Sequence, residues 1–349
     1  MTDSLVIETA GRAFGAVSTF EAVQEAQRAR WAPEVWSAAA EIGLPWISVP
    51  ESAGGVGGTL SEAVAVLVVA GAHAAPIPLA ETGILGGWLL SAAGLAVGEG
   101  PLSVVPGRPE DTLALDGRTL SGTAHRVPWA GSVDRIVALV DGHVVCVSPT
   151  SGAIDEVANL AGEPRDTITF AGVEVDELAL APEGVDVTTL RYRGALSRAA
   201  LMAGALGAMT DVTVGYTAER RQFGKAIGSF QAVQALVVRC AEEAVLVDLA
   251  VQVAARETER GAGRFEIAAA KVLADDAARV AASAAHQAHG AMGMTQEYPL
   301  HQLSRRLWSW RAEFGDAVWP ETIATAVIAG GADRFFPAIA GGSSSGISL

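Results

Sequence analysis

The chain has 349 residues, half of them hydrophobic and 18% charged, so it can bury a core in each of several domains, and intrinsic disorder is excluded. Its formal net charge of −15 argues against nucleic acids and anionic membrane surfaces as partners. The two cysteines, Cys146 and Cys240, lack CxxC spacing, and the N-terminus lacks a signal-peptide pattern. Together these features predict a reducing, cytoplasmic location.

The first segment, residues 1–100, is predicted to be helical. Apolar positions at helical spacing run from Phe20 to Ile42, and Gly43 is the predicted end of that helix. Ser61 is the predicted N-cap of the next apolar helix. The apolar stretch 63–80 contains a histidine and two prolines, which predicts a core helix running into a loop rather than a membrane span.

Alternating and β-branched runs replace this pattern in residues 101–186 and predict a small antiparallel β-domain. Asp141-Gly142 separates two of the runs and predicts a hairpin turn. The predicted strands are 112–115, 135–140, 143–147, 167–170 and 173–175.

Long, alanine-rich helices are predicted for residues 187–334, with breaks near Gly224, 261–263 and 290–293. Short connections between long helices are typical of an antiparallel bundle. The last residues, 335–349, are predicted to form a flexible tail.

Residues 219–231 carry the sequence Glu-Arg-Arg-Gln-Phe-Gly-Lys-Ala-Ile-Gly-Ser-Phe-Gln. A helix beginning near Arg198 is predicted to end at Arg220-Arg221, with Gly224 as the stop, and a new helix is predicted to start near Ser229. An ordinary helix–turn–helix with a solvated arginine pair is the alternative. The side chains that this break is expected to cluster at one corner are Arg220, Gln222, Phe223 and Gln231.

A second glycine-rich segment reads Gln287-Ala-His-Gly-Ala-Met-Gly and is followed by Glu-Tyr-Pro at 297–299. Glycine lets a ligand approach the backbone closely, so Gly290 marks a candidate binding loop. A helix C-cap turn that binds nothing is the alternative.

The two segments, together with the Gly-Leu…Val-Pro-Glu…Gly-Gly-x-Gly order of residues 43–58, resemble the acyl-CoA dehydrogenase family, flavoproteins that desaturate acyl-CoA thioesters. The resemblance implies an α+β fold: an N-terminal helical domain, a middle antiparallel β-domain and a C-terminal four-helix bundle. It also implies FAD as cofactor, acyl-CoA as substrate and an electron-transfer flavoprotein as acceptor. The residues that it implies in contact with the FAD of an adjacent subunit are Arg220, Gln222, Phe223, Gln231, Gln287, Gly290 and Ala291, the last of which replaces a family glycine.

The chain departs from the family at the catalytic base, usually the Glu of a Tyr-Glu-Gly-Thr sequence. Phe314 stands where that Glu should be, which leaves Glu313 and Asp316 as displaced candidates. The family's alternative base position corresponds to residues 191–196, which contain no carboxylate.

A second departure lies in the β-domain, where the family's Trp-Ile-Thr-Asn segment is replaced around Pro128 and Trp129. Proline has no N–H to offer a flavin ring. Trp129 either stacks on a ligand or packs in the core, and single tryptophans beside strands are more often core residues.

The histidines show no HExxH spacing and no carboxylate cluster, so no metal site is predicted. His286 and His289, three residues apart on a helix, are predicted to form a surface or interface pair.

The chain keeps the residues that the resemblance implies in contact with a neighbour's FAD and lacks the usual base. In both respects it resembles the smaller subunit of α2β2 acyl-CoA dehydrogenases that act on steroid side-chain CoA thioesters. This predicts a second acyl-CoA dehydrogenase-like subunit as partner. The alternatives are a self-sufficient homomeric enzyme with Asp316 or Glu313 as displaced base, and a scaffold subunit without flavin.

Overall fold

The computed structural model describes residues 4–315 and 318–331. The predicted tail, 335–349, lies outside the described residues, as does Asp316. The helices of the first segment are α1 (Ser4–Val17), α2 (Phe20–Ala29), α3 (Pro33–Glu41), α4 (Leu60–Ala72) and α5 (Trp88–Ala92), the last preceded directly by a buried π-helix (Glu81–Gly87).

The single helix predicted from Phe20 to Ile42 is wrong, because it is two helices. Arg30 adopts a left-handed φ of 61° at the end of α2, and Pro33 begins α3. A proline disfavours helical backbone in the residue before it but is well suited to the first turn of a new helix. Gly43, with a φ of 74°, follows the end of α3 as expected.

The N-cap predicted at Ser61 is also wrong, since Thr59 caps α4. The Thr59 hydroxyl accepts from the Glu62 backbone N–H at 3.1 Å, and the Glu62 carboxylate accepts from the Thr59 N–H at 2.7 Å. This reciprocal pair is a capping box, which satisfies two backbone donors that a bare helix end leaves unpaired.

The middle segment folds into two small sheets with strand orders β1-β4-β5-β8 and β2-β3-β7-β6. The pairs are antiparallel except for β1 with β4, which are parallel. Asp141 and Gly142 form the β4–β5 turn with φ of 49° and 74°, so the predicted hairpin is present. The strands are β1 (Leu102–Val104), β2 (Ala114–Asp116), β3 (Thr119–Pro128), β4 (Arg135–Val140), β5 (His143–Val147), β6 (Ala153–Asp155), β7 (Arg165–Glu174) and β8 (Glu177–Leu180).

Trp129 belongs to the core of this β-region. It is buried among aliphatic side chains of β3, β4 and β7, and the Arg165 guanidinium lies over its ring at 4.7 Å. The carbonyl of Pro128 accepts a hydrogen bond from the buried Ser103 hydroxyl. Core packing, rather than ligand stacking, is therefore the role of Trp129.

The last segment is helical, apart from one two-stranded hairpin. Its elements are α6 (Val187–Glu219), β9 (Arg221–Gln222), β10 (Lys225–Ala226), α7 (Gln231–Glu259), α8 (Arg264–His289), α9 (Leu300–Arg311) and α10 (Val318–Gly330). The buried face of α8 is mostly alanine, which lets it pack closely against α7, α9 and α10. Lys271, fully buried on α8, donates to Asp275 at 2.6 Å and to the Arg311 carbonyl at 2.9 Å, which ties α8 to the end of α9.

Backbone packing groups the chain into two units. The first contains the residues up to 66 together with 75–194, and the second contains 67–74 together with the residues from 195 onward. Within the second unit, a Cβ on Gly204 would lie 1.8 Å from the Val68 carbonyl oxygen, and one on Gly71 would lie 2.0 Å from the Leu201 carbonyl oxygen. These glycines therefore let two helical backbones touch. The domain limits placed at residues 100 and 186 remain a prediction.

Candidate cofactor site

The segment that follows α6 is a tight hairpin. Helix α6 ends at Glu219, and β9 pairs with β10 in the register Gln222–Lys225. Phe223 and Gly224 connect the strands with φ of 53° and 81°. Positive φ at both central residues defines a type I′ turn, whose twist matches that of antiparallel strands. The helix predicted to reach Arg221 is wrong at its end, and Gly224 turns a hairpin instead of stopping a helix.

The hairpin presents an aromatic side chain to solvent. Phe223 is 90% exposed, and its ring meets that of Phe230 edge-on at a centroid distance of 6.1 Å. The Lys225 ammonium lies 4.3 Å from the centre of the Phe230 ring. An exposed, laterally supported aromatic face with cations nearby suits a flat ligand that carries negative charge.

A cavity of about 410 Å³ opens between this hairpin and the C-terminal end of α8. Its size falls in the usual range of small-molecule sites. All the predicted cofactor residues line it except Gln231, which lies exposed at the start of α7. The lining residues are Tyr216, Arg220, Gln222, Phe223, Ile227, Phe230, Val233, Gln287, Ala288, His289, Gly290, Ala291 and Met292.

The α8 end supplies an open stretch of backbone. Gly290 has φ of 59° and ψ of −137°, a conformation open to glycine but strained for other residues. A Cβ at Gly290 would meet nothing within 4 Å, so this backbone faces open space. Gly293 differs, because a Cβ there would lie 2.9 Å from the His289 Cβ. Ala291 is exposed on the following 3₁₀ turn, where its methyl group is accommodated.

His289 forms part of the cavity wall and was missed as a site residue by sequence reasoning. It is only 3% exposed, so of the predicted surface or interface pair with His286, the surface alternative is wrong for this residue. Its ring stacks on Tyr216 at 4.4 Å and lies 5.1 Å from Tyr298. Nδ1 lies 2.7 Å from the Ala285 carbonyl oxygen, and burial lowers the pKa of the imidazole. Its place directly before Gly290 was the one signal that the sequence offered.

The lining offers groups of the kinds that suit a nucleotide. Arg220 brings forked donors suited to phosphate oxygens, and Gln222 and Gln287 bring amide groups. Phe223 offers a ring face, and Gly290 offers open backbone. Two features of the structure fit a dinucleotide such as FAD: the open backbone at Gly290 and a buried, unpartnered acceptor, Nε2 of His289.

The candidate base Glu313 is bound in a buried ion pair. Arg198, 1% exposed, donates from Nε to the Glu313 carboxylate at 2.5 Å. The Phe314 ring lies over the same guanidinium at 5.2 Å. A carboxylate held by a cation is stabilised in its ionised form and is a poor proton acceptor. Glu313 is therefore held in a structural contact, and Asp316, the other candidate, lies outside the described residues.

The alternative base position is occupied by a cation. Arg193 donates to the Ile84 carbonyl at 3.3 Å, and its guanidinium lies 4.3 Å from the centre of the Trp88 ring. Burial lowers the pKa of Arg193 to about 10. The side chain that this part of α6 supplies therefore cannot accept a proton at neutral pH.

Two kinds of feature are absent from the described part of the chain. No group of three or more His, Cys, Asp or Glu residues there could hold a metal ion. None of the helices described is long and apolar enough to cross a bilayer.

Comparison with known proteins gives consistent results. Residues 186–316 match the model of the acyl-CoA dehydrogenase C-terminal domain. The chain is similar to the acyl-CoA dehydrogenase FadE28 of Mycobacterium tuberculosis, with 32% identity over 296 residues, covering 76% of this chain and 84% of the relative.

Solved structures share the fold. The ChsE4–ChsE5 complex of Mycobacterium tuberculosis superposes with a TM-score of 0.84 at 23% identity, covering 93% of this chain and 97% of that chain. The Tcur3481–Tcur3483 steroid acyl-CoA dehydrogenase variant gives 0.82 at 22% identity, covering 92% and 96%. PigA with FAD and proline gives 0.79 at 19% identity, also covering 92% and 96%. The predicted helical–β–helical fold is confirmed.

Proposed function

The chain belongs to the acyl-CoA dehydrogenase family, and we propose that it is the subunit without the catalytic base in a heteromeric enzyme that desaturates an acyl-CoA thioester. In this role it contacts FAD in trans, together with a second, base-carrying subunit of the same family. The expected assembly is α2β2 and cytoplasmic. The proposed electron acceptor is an electron-transfer flavoprotein.

One observation carries the proposal: the chain combines a nucleotide-type cavity with a base position where, among the described residues, the nearest carboxylate is already paired. Arg220, Gln287 and Gly290 line the cavity. At the family's base position stands Phe314, and the adjacent Glu313 is paired with the buried Arg198. A subunit that acted alone would need both the cofactor cavity and a catalytic base, since removal of an α-proton requires a positioned base.

The chain's own residues would act on binding. Arg220 would hold the pyrophosphate through its forked donors, and the Phe223 ring would cover the adenosine half. Bound FAD would supply the chemistry of hydride acceptance from Cβ. The α-proton would pass to a carboxylate of the partner subunit.

The substrate proposed is a steroid side-chain CoA thioester. It is favoured by the sequence resemblance and by the fold shared with a structure described as a steroid acyl-CoA dehydrogenase. The heteromeric assembly is favoured in the same way, since the ChsE4–ChsE5 structure is described as a complex.

The homomeric alternative is disfavoured by the Arg198–Glu313 pair, which occupies one of its two candidate bases. The scaffold alternative is disfavoured by the cavity, because a chain that had lost flavin would have no need of Arg220 beside open glycine backbone.

The test is co-purification. The chain expressed alone should carry little FAD, because half a site gives up much of the binding energy. Co-expression with the neighbouring reading frame should give a yellow complex with visible flavin absorbance. Stoichiometric flavin on the purified homomer would contradict the heteromeric proposal.

Substitution of Arg220 sharpens the test. Arg220→Ala should lower FAD occupancy of the complex, and Arg220→Lys should restore it only in part, because an ammonium lacks the forked geometry. The matched control is Arg221→Ala, an adjacent exposed arginine that does not line the cavity. Equal occupancy in the Arg220→Ala and Arg221→Ala complexes would show that Arg220 does not bind the cofactor.

A further inference from the structure

One buried polar atom in the cavity wall has no hydrogen-bond partner among the residues that the structure describes. Nε2 of His289 is shielded from solvent and makes no hydrogen bond. A buried acceptor left unpaired costs free energy, so such atoms usually mark a group that binds something else.

The hydrogen bond of the other ring nitrogen, Nδ1, identifies the tautomer of the imidazole. Nδ1 lies 2.7 Å from the Ala285 carbonyl oxygen, an acceptor, so Nδ1 must be the protonated nitrogen. Burial lowers the pKa of His289, which keeps the ring neutral at pH 7. Nε2 therefore carries a lone pair and can only accept.

The ring is held in place on several sides. Tyr216 stacks against it with an interplanar angle of 23°, Tyr298 lies against it at a tilt, and a Cβ at Gly293 would lie only 2.9 Å from the His289 Cβ. Gln287 and Met292, which lie on either side of His289 in sequence, are exposed side chains that line the same cavity. His289 is thus a packed acceptor in the wall of the cavity.

We infer that His289 is a positioning residue that accepts, through Nε2, a hydrogen bond from the adenosine half of the dinucleotide bound in this cavity. The inference rests on the proposed function. The donor must come from the nucleoside, because phosphate oxygens carry no proton at neutral pH. Adenosine offers two kinds of donor, the 6-amino group of the base and the ribose hydroxyls.

The test uses the full chain and three diphosphates, titrated by ligand-observed NMR, which detects millimolar binding. ADP carries both donors, inosine diphosphate lacks the 6-amino group, and 2′-deoxy-ADP lacks the 2′-hydroxyl. Wild type should bind ADP about fivefold to tenfold more tightly than one of the analogues, the effect of one neutral hydrogen bond. The analogue that loses affinity identifies the donor.

Two variants separate the ring nitrogens. His289→Asn keeps a donor near the Nδ1 position and removes the Nε2 acceptor, whereas His289→Gln places an amide oxygen near the Nε2 position. His289→Asn should abolish the discrimination between ADP and the analogue, and His289→Gln should retain most of it. ¹⁵N chemical shifts should show the Nδ1-protonated tautomer in wild type. Loss of folding in either variant would be visible in its thermal transition.

The outcomes distinguish this inference from the proposed function. If ADP binding depends on Arg220 but His289→Asn discriminates as wild type does, or wild type binds all three diphosphates equally, the role of His289 is refuted alone. If ADP binds equally well to the Arg220→Ala chain, both conclusions fail. If ADP does not bind at millimolar concentration, only the role of His289 is refuted, because the isolated chain is expected to hold the cofactor weakly.

Discussion

The Arg198–Glu313 pair provides the sharpest prediction about stability. Glu313→Gln removes one charge and keeps the side chain's size. The guanidinium of Arg198 is 1% exposed and lies 2.5 Å from the carboxylate, so the substitution removes a carboxylate from a cation that water does not reach. We expect the chain to be destabilised without a change of fold.

The magnitude follows from charge separation and burial. Two unit charges about 4 Å apart at an effective dielectric constant of about 20 attract each other by about 4 kcal/mol. Breaking a buried pair by removing one partner typically costs about 3–5 kcal/mol. The amide oxygen of glutamine retains part of the hydrogen bond, so we expect a loss of about 3 kcal/mol.

The chain contains a matched control. Glu257 pairs with Arg260 at 2.6 Å, nearly the same distance, but the arginine side chain is 71% exposed. Surface pairs are worth at most about 1 kcal/mol, so Glu257→Gln should change the unfolding free energy by less than that. Urea denaturation followed by circular dichroism and tryptophan fluorescence measures both variants, and the double variant Arg198→Leu/Glu313→Leu should recover most of the loss.

The reasoning would be refuted if Glu313→Gln changed the unfolding free energy in urea as little as Glu257→Gln does. It would also fail if Glu313→Gln left stability intact and reduced desaturation by the assembled complex by several orders of magnitude with flavin content preserved. That second result would identify Glu313 as a base rather than as a partner of Arg198.

Three further predictions follow from the residues described. Asp316→Asn in the assembled complex should keep most of the desaturation rate, whereas replacing the partner's base abolishes it; a collapse of kcat at constant flavin content would show that this chain carries its own base. Burial lowers the pKa of His73, His286 and His289, so the unfolded state binds more protons than the folded state below about pH 6.5. The unfolding free energy should therefore fall as the pH drops from 7 towards 5. A His289→Asn chain whose unfolding free energy had the same dependence on pH as wild type would contradict this. Gly204→Ala should destabilise by several kcal/mol because its Cβ would overlap the Val68 carbonyl, whereas Gly207→Ala, one turn along α6 with nothing within 4 Å, should be neutral or stabilise by about 0.5–1 kcal/mol; equal melting temperatures for the two variants would refute the close contact.

The order of elements and the corner residues could be predicted because local patterns determine them. Asp141-Gly142 was identified as a hairpin turn because aspartate and glycine both tolerate positive φ. Phe223-Gly224 adopts the same kind of turn and was missed, since a phenylalanine rarely takes positive φ and nothing local indicates it. Here the pairing of Gln222 with Lys225 leaves Phe223 and Gly224 as a two-residue loop, which takes positive φ at both positions despite the preference of phenylalanine.

The partners of the site residues could not be predicted, because they come from distant parts of the chain. Helical spacing places His286 and His289 on one face but does not reveal that Tyr216 stacks on His289. Likewise, the sequence makes Glu313 a candidate base, but the fold pairs it with Arg198 on α6. Periodicity gives the direction of a side chain, whereas its chemical state depends on what the fold brings against it.

The discontinuous unit that joins residues 67–74 to the C-terminal helices has a consequence for how the chain can be divided. The matched family region, 186–316, begins one residue before α6 and omits the end of α4 that touches α6 through Gly71 and Gly204. A fragment cut to that region would expose a glycine-lined groove where a helix belongs. The region that matches the family and the compact unit of the structure therefore differ, and a chain cut to 186–316 should be less stable than one that also keeps residues 67–74.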